Sequence, residues 1–309
     1  MRTLKLYRHG CTIGTPPRKN DHDREKRGEV TGWSHSATRR NTAFLRSVYE
    51  PELHTTSEGQ PLSAYAVTLT LKTCPSTSDD WHRLRNALYR RYKRLGLHRS
   101  HWVTEWQRRG VPHLHGAFWF PPETSPSDLI RHWCELSSDF GALPSAQHIA
   151  PISDAIGWFK YLSKHASRGV SHYQRNPDNI PPSWKKKTGR VWGKTGDWPV
   201  SEAVQFHLDD RAFYQYRRLL KRWRIADARA GAQQAVDLAC RKSPLLRQLP
   251  YHVQARAAGA YRRITSARRM LNAPDRKTSS VRGASEWVPE NMQLLALDWL
   301  RAQGCDVYC

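Results

Sequence analysis

Apolar positions recur with two different periods along this chain, and the two kinds of segment alternate. Residues Tyr65–Leu71, Trp102–Gln107 and Val111–Phe120 are rich in β-branched and aromatic side chains, as strands prefer. Helices are expected at Thr38–Tyr49, Ser78–Leu95 and Ser127–Phe140. Ser153–Arg168 reads as another helix, with Ser153 as N-cap, Asp154 in the first turn, and Ala155, Phe159, Leu162 and Ala166 in one apolar stripe. From residue 201 onward the spacing is helical: Phe213, Tyr216, Leu220 and Trp223 form a stripe, and Asn291–Ala302 is an apolar-rich helix ended by Gly304. Hairpins mixed with helices over residues 61–200 predict an α+β fold. Its centre would be an antiparallel sheet with helices packed on one face, followed by a helical, basic C-terminal region at 201–309. Residues 1–60 are polar, carry Pro16-Pro17 and show little periodicity, so they are expected to be flexible or loosely packed.

The stretch from Glu105 to His115 adds chemistry to that pattern. Arg108-Arg109-Gly110 is a three-residue loop with glycine last, where a positive φ is wanted. The loop pairs Gln107 with Val111, and counting outwards places Glu105 opposite His113. Strand side chains alternate, so His115 joins them while Leu114 and Gly116 face away. A slip of one residue would turn Glu105 away, and Pro112 favours an edge or irregular position. Two imidazoles and a carboxylate suit Mg²⁺ or Mn²⁺, with water or phosphate completing the shell, and zinc is chemically possible. A lone His-x-His on a strand is more often an ordinary surface or core pair; Glu105 at turn spacing is what raises the metal reading.

On the Ser153–Arg168 helix, Tyr161, Lys164, His165 and Arg168 share a face distinct from the apolar stripe. A tyrosine one turn from a lysine is a sensible nucleophile for phosphate chemistry, because nearby cations favour the phenolate. The bland alternative is a half-buried tyrosine whose hydroxyl reaches water.

The His113-Leu114-His115 strand, a carboxylate eight residues before it and the later Tyr161-x-x-Lys164 together resemble the HUH endonuclease superfamily. More narrowly they resemble its single-tyrosine rolling-circle replication initiators, including those of filamentous phages. Tyr65–Leu71 matches the strand motif preceding the histidines in that family, and residues 191–198 (Val-Trp-Gly-Lys-Thr-Gly-Asp-Trp) are similar to a segment of phage replication proteins. The resemblance covers roughly residues 61–200. It implies Glu105, His113 and His115 as metal ligands, Tyr161 as the attacking hydroxyl, and Lys164 positioning tyrosine, metal or phosphate. The product would be a 5′-phosphotyrosine adduct and a free 3′-hydroxyl. Relatives with paired tyrosines carry the second one turn after the first, where this chain has His165.

Charge agrees with a DNA partner: 50 basic against 27 acidic residues give a formal net charge of +23. Trp184, Lys185, Lys186, Lys187, Arg190 and Trp192 form a basic, tryptophan-dotted loop that could neutralise phosphates and stack on unpaired bases, or merely cap the core. The C-terminal region could bind the origin duplex or mediate self-association into a homo-oligomer. Single-stranded and duplex origin DNA, a host helicase and a host polymerase are the expected partners. No Gly-x-x-x-x-Gly-Lys-Ser/Thr loop occurs that would supply ATP-driven unwinding. The six cysteines lack Cys-x-x-Cys pairing, and neither a secretory signal nor a membrane anchor is visible, so a reducing bacterial cytoplasm is expected. The competing readings are a relaxase or single-tyrosine transposase, and a non-enzymatic basic DNA-binding protein.

Overall fold

The structure, a computed structural model, describes residues 2–14, 29–167, 174–261, 265 and 284–309. The chain divides into two compact units, residues 22–202 and residues 1–21 together with 203–309. Each contains one five-stranded sheet built from antiparallel pairs. The fold is α+β, as its sequence pattern predicts.

In the unit at 22–202 the strands are β3 (Ser63–Thr70), β4 (Arg99–Trp106), β5 (Pro112–Phe120), β6 (His148–Pro151) and β7 (Trp192–Thr195), in the order β6-β3-β5-β4-β7. Helices α1 (His35–Ser47), α2 (Ser78–Arg94), α3 (Pro126–Leu136) and α4 (Ala155–Ser167) surround them. Helix α2 starts on a capping box, in which Thr77 accepts from the Asp80 N–H and Asp80 accepts from that of Thr77.

The helices cover both faces of this sheet, which corrects the expectation of one covered face. On one side the Trp81 indole of α2 donates to Thr104 Oγ1 (3.2 Å), and Tyr92 meets Phe118 and Phe120 edge-on. On the other, Asn41 of α1 bonds His101 (2.7 Å), and Phe159 of α4 packs on Trp119. Every residue of β4 and β5 is buried in consequence. Apolar side chains on alternate positions of β5, Leu114, Phe118 and Phe120 against Ala117 and Trp119, require two covers. Pro112 stands at the first residue of the central strand β5 rather than at an edge, a position where a missing N–H is tolerated.

In the second unit the order is β10-β8-β1-β2-β9, formed by β1 (Arg2–Tyr7), β2 (Gly10–Gly14), β8 (Val204–Leu208), β9 (Ala284–Trp287) and β10 (Val307–Tyr308). Leu4, Leu6, Ile13, Phe206 and Leu208 face a core completed by Phe213 and Tyr216 of α5 (Asp210–Lys242) and by Leu297 and Leu300 of α7 (Glu290–Ala302). Helix α6 (Tyr251–Ala257) packs near the end of α5 around Val236, Cys240 and Ala255. Residues 2–14 are therefore paired strands, not the loose segment expected, and the region after 201 contributes three strands besides its helices. The Leu4/Leu6 alternation is too short to stand alone; it is stabilised by β8, about two hundred residues later.

Candidate metal and tyrosine site

The β4–β5 hairpin has the register its loop dictates. Gly110 adopts φ +78°, the Gln107 N–H donates to the Val111 carbonyl (2.9 Å), and Glu105 stands opposite His113. Glu105, His113 and His115 consequently share one face of the sheet and are 0%, 3% and 5% exposed. The two imidazole Nε2 atoms are 2.8 Å apart, and Glu105 Oε2 lies 3.6 Å from His115 Nε2. Thr68, paired with His115 across β3, holds the Nδ1 of that ring at 2.8 Å and so keeps Nε2 turned toward its neighbours.

Two residues outside the hairpin complete the surroundings. The Gln174 amide nitrogen is 3.2 Å from His113 Nε2. Arg175, fully buried, donates from Nε to Glu105 Oε1 (2.7 Å) and from Nη2 to the Leu162 carbonyl of α4 (3.2 Å). Its guanidinium lies over the Trp33 ring, 3.8 Å from the centroid, and the Trp33 indole donates to the Thr104 carbonyl. Neither Thr68 nor Arg175 carries a spacing signal in the sequence, because strand pairing and a distant loop bring them in.

The protonation state of His115 suits a metal ligand. Burial pushes His115 down to about 3, with the charges of His113 and Arg175 adding, so the imidazole is neutral near pH 7 and keeps a nitrogen lone pair. Burial also pushes the Glu105 carboxyl up, against the pull of Arg175. The three candidate ligand atoms lie within 4.8 Å of one another, so this buried group could hold a metal ion. Nitrogen and carboxylate donors fit a divalent cation, and the fit comes from the chain alone.

Tyr161 sits beside this group. Its ring meets His115 edge-on with centroids 6.2 Å apart, stacks on Trp158 at 5.1 Å, and is 38% exposed. Helix α4 delivers it, packing through Ala155, Phe159 and Leu162, which are buried. Lys164 and His165 lie on the same helix, but their side chains are outside the described residues, as is the whole of Arg168.

Residues 64–166, from β3 through the tyrosine helix, match the sequence model of the ORF2-type replication-associated protein family. The replication-associated protein of Pseudomonas phage Pf3 is 49% identical over 98% of this chain and 99% of its own length. The chain belongs to this family of replication-associated proteins. Two putative replication proteins of Xylella fastidiosa are also similar: that of strain Temecula1 is 43% identical over 93% of this chain, that of strain 9a5c 42% over 99%, each covered over 99% of its length. No solved structure matches.

The tryptophan-dotted loop of this replication-associated protein divides into two kinds of residue. Trp184 is fully buried and its indole donates to the Pro75 carbonyl (3.0 Å), so it caps the core and offers no face to a base, a correction to its expected DNA contact. Trp192 is half-buried and stacks on Phe44, while Trp198 packs on Trp119 and Phe44. Lys185, Lys186, Lys187 and Arg190 are exposed, with Lys187 paired to Asp79 at 3.1 Å. Among the described residues, no helix is long and apolar enough to cross a membrane.

Proposed function

We propose that this protein initiates rolling-circle replication by nicking and rejoining one strand of origin DNA. Tyr161 is the nucleophile, and Glu105, His113 and His115 hold a divalent ion, Mg²⁺ or Mn²⁺. The observation carrying this reading is the approach of the half-exposed Tyr161 ring to His115 of a buried carboxylate–imidazole cluster. Family membership agrees with a role in replication.

When bound, the ion supplies Lewis acidity at a phosphate oxygen. The chain's residues do the rest. The Tyr161 phenol oxygen attacks phosphorus in line; its bond to phosphorus forms as the bond from phosphorus to the 3′ oxygen breaks. The phenol proton passes to solvent and the departing oxygen takes one up from it, ending as a 3′-hydroxyl that a host polymerase can extend. The 5′ end stays on Tyr161, so the phosphodiester energy is kept and a later 3′-hydroxyl can rejoin the strand without ATP. Trp158, stacked on Tyr161, restrains the ring without covering it. Lys164, one turn on, is assigned to phosphate or tyrosine positioning. Lys185, Lys186, Lys187 and Arg190 neutralise the DNA backbone, and Trp192, only half-buried, is the tryptophan of this loop assigned to a base contact. Strand separation falls to a host helicase, in the bacterial cytoplasm where the DNA is copied. The basic unit at the C-terminus binds the origin duplex or a second copy of the chain.

The test is Tyr161→Phe with a single-stranded origin oligonucleotide and Mn²⁺, read on a denaturing gel. Oligonucleotide binding should persist while the covalent adduct falls by more than about a thousandfold. An adduct at wild-type yield in that variant refutes Tyr161 as the nucleophile.

A further inference from the structure

Arg175 hydrogen-bonds both halves of the proposed site, the carboxylate of the cluster and the tyrosine helix. Its Nε holds Glu105 Oε1 at 2.7 Å, while the other oxygen, Oε2, is the one 3.6 Å from His115 Nε2. Its Nη2 reaches the Leu162 carbonyl at 3.2 Å, the residue next to Tyr161. Trp33 backs the guanidinium plane from 3.8 Å, and Trp33 is tied in turn to β4 through the Thr104 carbonyl (2.8 Å). A planar fork with donors in fixed directions can serve a carboxylate and a carbonyl at once; an ammonium is a point charge on a flexible stem and cannot reproduce both angles.

We infer that Arg175 is a positioning residue that registers the tyrosine helix against the metal carboxylate: by occupying Oε1 it reserves Oε2 for the ion, and by gripping Leu162 it sets where Tyr161 stands. This rests on the assignment of Glu105, His113 and His115 as metal ligands and of Tyr161 as nucleophile. A plain buried ion pair is the competing account, and it makes different demands. An ion pair needs only a cation opposite Glu105, which lysine supplies. A positioning fork needs both hydrogen bonds. Partners of metal-bound side chains commonly change metal affinity or activity by about 10- to 100-fold when replaced.

The experiment uses the full chain, with Mn²⁺ binding followed by electron paramagnetic resonance and adduct formation followed under single-turnover conditions. Arg175→Lys should weaken Mn²⁺ binding by about 10-fold or more and slow adduct formation at saturating Mn²⁺. Its affinity for the oligonucleotide should stay at the wild-type value, since exposed cations carry that term. Trp33→Leu leaves the arginine in place but unsupported, and should move the same two readouts less far; it decides the matter if Arg175→Lys does not fold. Folded variants that bind Mn²⁺ and form adduct as the wild type does overturn the proposal. His115→Ala separates the two layers of argument. Loss of Mn²⁺ in His115→Ala with retention in Arg175→Lys sinks the Arg175 role alone, whereas wild-type Mn²⁺ binding by His115→Ala removes the metal assignment and this proposal with it.

Discussion

The two units use an antiparallel sheet in opposite ways. In the unit at 22–202 the central strand β5 is buried along all of its 9 residues, with helices on each face. In the other unit β1 alternates: Leu4 and Leu6 are buried, and Lys5 between them is exposed. A sheet covered on both sides must have any polar group it carries satisfied within the fold, and here it carries Glu105, His113 and His115, with the buried Arg175 of a loop set against them. Such a cluster costs stability, and it is tolerated because its members bond one another and a rigid strand pair fixes their spacing. A sheet covered on one side carries no such demand; its polar residues face outwards. Chemistry that needs fixed distances sits in the first kind of frame.

Three results would break or sharpen that contrast, beyond the tyrosine and arginine variants. The largest concerns the cores. Phe213→Ala empties a fully buried position of the second unit and should cost about 3–5 kcal/mol there. The Mn²⁺ binding proposed for Glu105, His113 and His115 should be unaffected if the units fold separately, as chemical denaturation with a bound-Mn²⁺ signal would report; coincident loss of both would show that they do not.

Acid should strike the doubly covered sheet next. Burial holds His101, bonded to Asn41, down to about 3, below its ordinary value of 6.5. A histidine with a depressed folded-state value takes up its proton more readily when unfolded, so its stabilising contribution is complete above pH 6.5 and is lost as pH falls toward 3. The slope is at most about 1.4 kcal/mol per pH unit for this group. Ten of the 13 tryptophans lie within 22–202, so unfolding followed by tryptophan fluorescence reports that unit. His101→Gln should flatten the dependence; an unchanged slope would place the acid sensitivity elsewhere.

The smallest effect belongs to the surface. Replacing Lys185 and Lys186 by alanine should reduce the salt dependence of single-stranded DNA binding by about 1.4 in the log–log slope, with melting temperature unchanged. A slope equal to that of the wild type would remove these lysines from the DNA path.

How far the site could be read in advance follows from the range of each interaction. Glu105, His113 and His115 were legible because a short loop ending in Gly110 sets a register and strand alternation does the rest, both within a dozen residues. Tyr161 was legible as a helix position, though nothing local says that its ring meets His115. Trp184 misled because a tryptophan among lysines has the composition of a stacking surface, whereas its burial depends on Pro75, 109 residues away. Strands β1 and β2 were missed for a related reason: a short alternating run is too weak to form alone, and its partners β8 and β9 are remote in the chain.

By itself, then, the amino-acid order determined the hairpin, its register, the helical faces and the excess of positive charge, since each follows from φ preferences, side-chain periodicity or composition over a short span. Only tertiary structure decided that both sheet faces are covered, that residues 2–14 join the C-terminal half, and that Thr68, Gln174 and Arg175 close around the carboxylate–imidazole cluster. Those outcomes depend on burying apolar surface between segments far apart in the chain, and no local rule measures which distant segment will win.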